Sequence, residues 1–330
     1  MQNKLKNNDI KLLFKKIAAF IIPLYLLWFF YIEYFPLYYN RPTNTRWYFL
    51  KESLEGNYKI PKVNKIFLGE SRLNAGLDYT KISGSYGFAS GGSTPVEMYY
   101  VLKKYLKKYP KPDTVFLSVS PRFFCELFAF WHFAVRNNFI STSDFKEIIS
   151  EKSMRTDVLG DFPRFKFFLY KADYLTYYQD DVLYNNVFSG YEENKKLIEK
   201  MQEMKGGRPH PGLKDSCSAL NYETGYDNFM PDKLLVNYFD KILGTCKTNN
   251  IMLIFFSMPV NKSSFDALSP KFVSGYEKFM KKYANKYPGF IISDSLYAYP
   301  DKFFGDASHL NIKGRELFTE KFTKGEIFEF

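Results

Sequence analysis

The longest apolar stretch of the chain comes at its start. Ile17 to Ile32 carries no charged residue, and after Glu33 apolar character resumes through Tyr34, Phe35, Leu37, Tyr38 and Tyr39. A membrane-spanning helix needs about 20 mainly apolar residues, so the pattern predicts a single-pass anchor over 17–40. Lys4, Lys6, Lys11, Lys15 and Lys16 precede the run, and the positive-inside rule makes 1–16 a cytoplasmic basic tail. No small-x-small cleavage pattern follows, because Tyr38-Tyr39-Asn40-Arg41-Pro42 is bulky, so an uncleaved anchor is expected rather than a signal peptide. Pro23 and Glu33 favour the competing reading, a buried core helix. On the anchor reading, 41–330 is one α/β domain outside the cytoplasmic membrane, in the periplasm or at the cell surface.

Beyond the anchor, short apolar runs alternate with amphipathic stretches. Val63 to Leu68 ends abruptly in Gly69-Glu70-Ser71-Arg72, which reads as a buried strand delivering its last residues to a loop at the sheet's carboxyl edge. Open α/β sheets place ligands at that edge. A second strand is expected over Tyr86 to Ala89, followed by the loop Ser90-Gly91-Gly92-Ser93. Thr94-Pro95-Val96-Glu97 then has the form of a capping box with proline at the first helical position, so a helix is expected to about Tyr109. Thr114 to Val119 reads as a buried strand, and strand, helix, strand implies a parallel crossover. From Arg122 to about Met230 the pattern is irregular and aromatic, which predicts a mainly helical insertion, either roofing the site or forming a plain helical layer. Lys205 to Gly212 is expected to be an exposed loop. Regular order returns with a helix from Asp232, a strand over Ile251 to Ser257, a helix from Ser269-Pro270 to Lys286 and a strand over Phe290 to Ile292. A loop from Gly305 then feeds a terminal helix. The fold class expected is a doubly wound, flavodoxin-like parallel sheet flanked by helices.

Composition changes this picture little. A 46% hydrophobic fraction over 330 residues supplies a core large enough to exclude general disorder. The net charge of +11 is compatible with nucleic acid, an anionic membrane or an anionic polymer. No nucleic-acid-binding motif accompanies it, so nucleic acid is set aside. Lys103-Lys104-Tyr105-Leu106-Lys107-Lys108 reads as a solvated helix face. Cys125, Cys217 and Cys246 are too scattered for a disulfide framework or a metal site, although one pair could bridge, and neither cofactor nor metal is expected.

The chain has three histidines, and they differ in context. His210 lies between prolines in the expected loop, and His132 lies in an aromatic run. His309 alone follows an aspartate at a spacing of three, in Asp306-Ala307-Ser308-His309. A serine hydroxyl needs a base to take its proton, and the base works best when a carboxylate fixes its tautomer. Asp-x-x-His can supply both, though taken alone it can equally be a turn cap.

Taken in order, the blocks resemble the SGNH, or GDSL-like, hydrolase superfamily over about Val63 to Lys321. Gly69-Glu70-Ser71 matches the nucleophile block, usually Gly-Asp-Ser. Phe88-Ala89-Ser90-Gly91-Gly92 matches the second block, whose glycine N–H lines an oxyanion hole. Asp306 to His309, extended by Asn311 and Gly314, matches the terminal block. Glu70 departs from the usual aspartate, and Ser118-Val119-Ser120-Pro121-Arg122 offers no counterpart to the family's asparagine donor. The resemblance implies Ser71, His309 and Asp306 as catalytic triad and the N–H groups of Ser71 and Gly92 as oxyanion hole. With the expected anchor and the Ser-Pro step, it is nearest the membrane-bound branch of DltD-type and alginate-acetylation proteins. That branch implies an esterase or O-acyltransferase acting on acyl groups of a cell-envelope glycan or polymer, beside a membrane-bound O-acyltransferase partner. A catalytically silent glycan-binding scaffold and a lipid esterase are the alternatives.

Overall fold

The computed structural model describes residues 7–34, 42–127, 130–150, 159–173, 187–207 and 216–328. Its centre is a sheet of β1 (Lys65–Gly69), β2 (Ser85–Gly87), β3 (Thr114–Ser118), β4 (Met252–Phe255) and β6 (Ile291–Ile292). The spatial order is β2-β1-β3-β4-β6, and every neighbouring pair is parallel. A separate parallel pair joins β5 (Val260–Asn261) to β7 (Ala298–Tyr299).

Strand alternation divides the core between the two faces. Ile66, Leu68, Val115, Leu117, Leu253 and Phe255 face one cluster, whereas Phe67 and Phe116 face the other. The first face is covered by α2 (Pro42–Glu55), α4 (Pro95–Lys108), α8 (Lys233–Thr248) and, after the short α9 (Lys262–Ala267), by α10 (Pro270–Lys286). The second is covered by α3 (Ser71–Gly76) and α11 (Ile312–Lys324), whose Phe318 and Phe322 are buried there. Phe67 stacks on Phe116 with ring centroids 4.6 Å apart, and Phe322 lies across both. A fully buried phenylalanine contributes roughly 1.5–3 kcal/mol, so this contact alone is a substantial clamp between α11 and the sheet.

The segment 122–230 is mainly helical where described, with irregular chain at 136–141, 216–221 and 226–230. It carries a π-helical turn at Phe130–Val135, then α5 (Thr142–Ser150), α6 (Pro163–Asp173) and α7 (Val187–Glu203). Phe130, Phe139, Phe145, Ile148, Ile198 and Met201 are buried in the same core as α2 and α4, so these helices form a layer on that face. His210 and most of the expected loop 205–212 lie outside the described residues. At the free edge of β2, the Lys205 carbonyl accepts from the Gly87 N–H at 2.8 Å, which satisfies an otherwise open edge.

The membrane-anchored architecture and the localisation built on it are corrected by the structure. Among the described residues, no helix is long and apolar enough to cross a membrane. The N-terminal helix, α1 (Asn7–Tyr34), holds Lys11, Lys15 and Lys16 within its first half, and Pro23 and Glu33 further on. Its uncharged portion, Ile17 to Ile32, falls short of the about 20 residues required. The aromatic continuation expected to complete the span, 35–40, lies outside the described residues. What remains of the expected fold class is a mixed α/β chain with a parallel sheet and helices.

Candidate active site

Three short segments meet at the carboxyl edge of β1 and β3. The first is the exit from β1. A side chain at Gly69 would lie 2.6 Å from Leu73 Cδ2 and 3.0 Å from the Ser118 carbonyl, so only glycine lets α3 fold back this tightly. Glu70 then caps α3, its Oε2 accepting the Arg72 N–H at 2.7 Å. Ser71 becomes the first residue of a helix, held by its neighbours on both sides.

The second segment is the turn before α11. Asp306 Oδ1 accepts the N–H groups of Ser308 at 2.7 Å and His309 at 2.8 Å, so its side chain closes the turn that the spacing of three creates. The Gly305 N–H to His309 carbonyl bond and the Phe304–Leu310 bridge pin the base of this loop. Asn311 caps α11 by accepting the Gly314 N–H at 2.9 Å. His309 therefore stands on a rigid stalk, with its side chain 17% exposed.

These two segments, 238 residues apart, join through one hydrogen bond. His309 Nε2 lies 2.8 Å from Ser71 Oγ, and His309 Nδ1 lies 2.8 Å from Asp306 Oδ2 and 3.0 Å from Oδ1. The carboxylate accepts a hydrogen bond from Nδ1–H, and in that tautomer Nε2 is the acceptor for the serine hydroxyl. Burial alone would push the Asp306 carboxyl up. The His309 ring and the two backbone N–H groups outweigh it and hold the group well below the usual carboxylate range. Asp306 is thus a fixed anion, suited to stabilising an imidazolium.

The third segment is the loop Ser90-Gly91-Gly92-Ser93. A Cβ at Gly91 would sit 3.9 Å from Ser71 Cβ, so the loop abuts the serine, and Gly92 holds φ +70, a conformation that favours glycine. The loop is braced at both ends. Arg46 of α2 donates to the Ala89 carbonyl through Nε at 3.0 Å and to the Gly206 carbonyl at 2.7 Å. Beyond the loop, Glu97 accepts the Thr94 N–H at 2.8 Å in the capping box. Glu97 is fully buried, and burial pushes its carboxyl up to about 7 against the Thr94 hydrogen bonds.

Beneath the serine lies an ionic group for which the sequence offers no local signal. Glu70 is 1% exposed, and its Oε1 accepts the Ser120 hydroxyl at 2.7 Å, while Ser71 Oγ stands 3.3 Å from its other oxygen. Ser120 falls in the block that lacks the expected asparagine, and here it braces the carboxylate. Arg72 directs one guanidinium nitrogen at both oxygens of Glu223, 2.7 Å from each. Burial opposes the Arg72 charge, but Glu223, with Glu70 and Asp306, outweighs it and raises the guanidinium above its ordinary value. Glu223 sits on the turn Tyr222–Gly225, where the exposed Tyr222 ring covers the Arg122 guanidinium at 4.3 Å. This turn ties the 122–230 segment to the site through the Arg72–Glu223 pair. His132 is elsewhere, paired with Tyr170 at 3.3 Å.

The three cysteines are free, and among the described residues no His, Cys, Asp and Glu cluster could hold a metal ion.

No family model matches the chain, and no curated protein matches it. Among solved structures, one described as "a putative platelet activating factor from Streptococcus pneumonia" aligns over 94% of this chain and 98% of its own, at 10% identity and a TM-score of 0.39. So distant a likeness carries no argument about function, and the resemblance of the sequence blocks rests on those residues alone.

Proposed function

We propose that the protein is a serine esterase or acyltransferase of the SGNH type, with Ser71 as nucleophile, His309 as general base and Asp306 as its orienting carboxylate. The observation that carries this reading is the unbroken chain of hydrogen bonds from Ser71 Oγ through the His309 ring to Asp306. In the first half-reaction, Ser71 Oγ attacks an ester or thioester carbonyl as its proton passes to His309 Nε2. The oxyanion is met by the N–H groups of Ser71 and Gly92. Collapse breaks the bond to the leaving group, which takes the proton from His309, and an acyl-Ser71 ester remains. Water or an acceptor hydroxyl then gives its proton to His309 and attacks the acyl-enzyme, and the proton returns to Ser71.

The substrate class proposed is an acylated glycan or polyol polymer. The net charge of +11 suits an anionic polymer, and the exposed Tyr222 ring at the edge of the site offers a face for a sugar.

A fluorophosphonate probe tests the reading directly. The purified protein should become labelled on Ser71, Ser71→Ala should abolish labelling, and His309→Gln should slow it on the order of 10³-fold or more. Folded protein that resists the probe would leave the silent scaffold as the better account.

A further inference from the structure

Helix α4 carries Lys103, Lys104, Lys107 and Lys108 as two i, i+4 pairs; Lys104 is half-buried and the other three are exposed. They line an open cavity of about 530 Å³, flanked by Leu54 and Glu55 at the end of α2 and by Ser141, Ser143 and Asp144 at the start of α5. That volume falls within the range of small-molecule sites, roughly 300–1,000 Å³. The cavity lies at the end of α4 away from the Ser90–Ser93 loop, ~20 Å along the helix axis from it.

Four lysines against two carboxylates leave the lining cationic. Both carboxylates are already engaged. Asp144 Oδ2 accepts from the Ser141 N–H at 3.0 Å and the Ser141 hydroxyl at 2.7 Å, and lies 3.5 Å from Lys104 Nζ. Glu55 pairs with Lys51 at 3.5 Å. Lys103 is matched by Glu147 at 2.6 Å. Among the described residues Lys107 and Lys108 have no ion-pair partner.

A further lysine crowds the same end of the fold. Lys171 of α6 donates to Asn138 Oδ1 at 2.6 Å, and burial, reinforced by the charges of Lys104 and Lys51, pushes its ammonium down to about 8. Burial also lowers Lys104, more than Asp144 restores it. Gathering these ammonium groups costs free energy that a bound multivalent anion would offset.

We propose that this cavity binds a small phosphorylated molecule carrying at least two negative charges. Its phosphate oxygens accept hydrogen bonds from the Lys104, Lys107 and Lys108 ammonium groups and from the Ser143 hydroxyl, which stands 2.8 Å from that of Ser141. A concave wall of this volume fits a compact ligand, whereas an extended polymer or a membrane surface would meet a flat basic face.

The test is calorimetric titration of the full chain with inorganic pyrophosphate at matched ionic strength, beside flotation with vesicles of phosphatidylglycerol or phosphatidylcholine. Saturable 1:1 binding is expected, with a Kd of about 1 mM or tighter, weakened roughly tenfold in Lys107→Gln/Lys108→Gln. That variant should retain the melting temperature and Ser71 labelling of the parent. Absence of saturable binding up to about 10 mM pyrophosphate, or equal binding by the double variant, overturns the proposal. Retention on phosphatidylglycerol vesicles that pyrophosphate does not displace overturns the small-ligand occupant in favour of a lipid headgroup.

Discussion

Replacing Arg72 by methionine removes the cation that holds Glu223 in place, and the consequence can be worked from the geometry. The two side chains are 7% and 2% exposed and meet at 2.7 Å, so without Arg72 the carboxylate is left in a dry site with no counter-charge. Removing one partner of a buried pair costs about 3–5 kcal/mol. Urea unfolding of wild type and Arg72→Met at pH 7 should therefore give a stability gap of about 3–5 kcal/mol. Adding Glu223→Leu to Arg72→Met removes the stranded carboxylate and should restore most of that loss, whereas Glu223→Leu alone strands the guanidinium and should cost a similar amount. A gap below about 1 kcal/mol, or a double variant no more stable than Arg72→Met, would refute the reasoning.

Other expectations follow from the same site. Asp306→Asn should keep the fold and lower acyl-enzyme formation on the order of 10³–10⁴-fold, read as the rate of Ser71 labelling, because an amide cannot stabilise the imidazolium. Glu97 has a folded value of about 7 against an ordinary 4.5, so its contribution to stability is fully present below about 4.5 and lost as pH rises through about 7. Relative to Glu97→Gln, the wild type should thus lose about 3 kcal/mol between pH 4.5 and pH 8, and parallel stability profiles would count against burial as the cause. Gly92→Ala should cost about 1 kcal/mol or more because φ is +70, and should slow labelling by displacing the loop beside Ser71.

What the sequence made legible was local chemistry. Thr94-Pro95-Val96-Glu97 announced the start of α4 because capping residues and helix geometry lie within one turn of each other. Asp306 and His309 were readable for the same reason, since a spacing of three is a turn. Gly69 marked the end of β1, but the short helix that follows was read as a loop, because six residues are too few for a periodic pattern. Glu223 meeting Arg72 and Ser120 meeting Glu70 were invisible, because those pairs are set by how the chain packs and not by spacing. The N-terminal reading failed because Ile17 to Ile32 is by itself too short to span, and Lys11, Lys15 and Lys16 ahead of it are part of the same helix. Lys103, Lys107 and Lys108 are exposed, as the pattern along α4 suggested, but nothing along that helix reveals that α2 and α5 flank them.

The clamp of Phe322 on Phe67 and Phe116 makes the base a tenant of the C-terminal helix, while the nucleophile stands at the start of α3, directly after β1. Undocking α11 would carry His309 away and leave the larger cluster on the opposite face intact. Labelling of Ser71 then becomes a gauge of one joint in the molecule, and mild denaturant should silence it before the bulk helical signal declines.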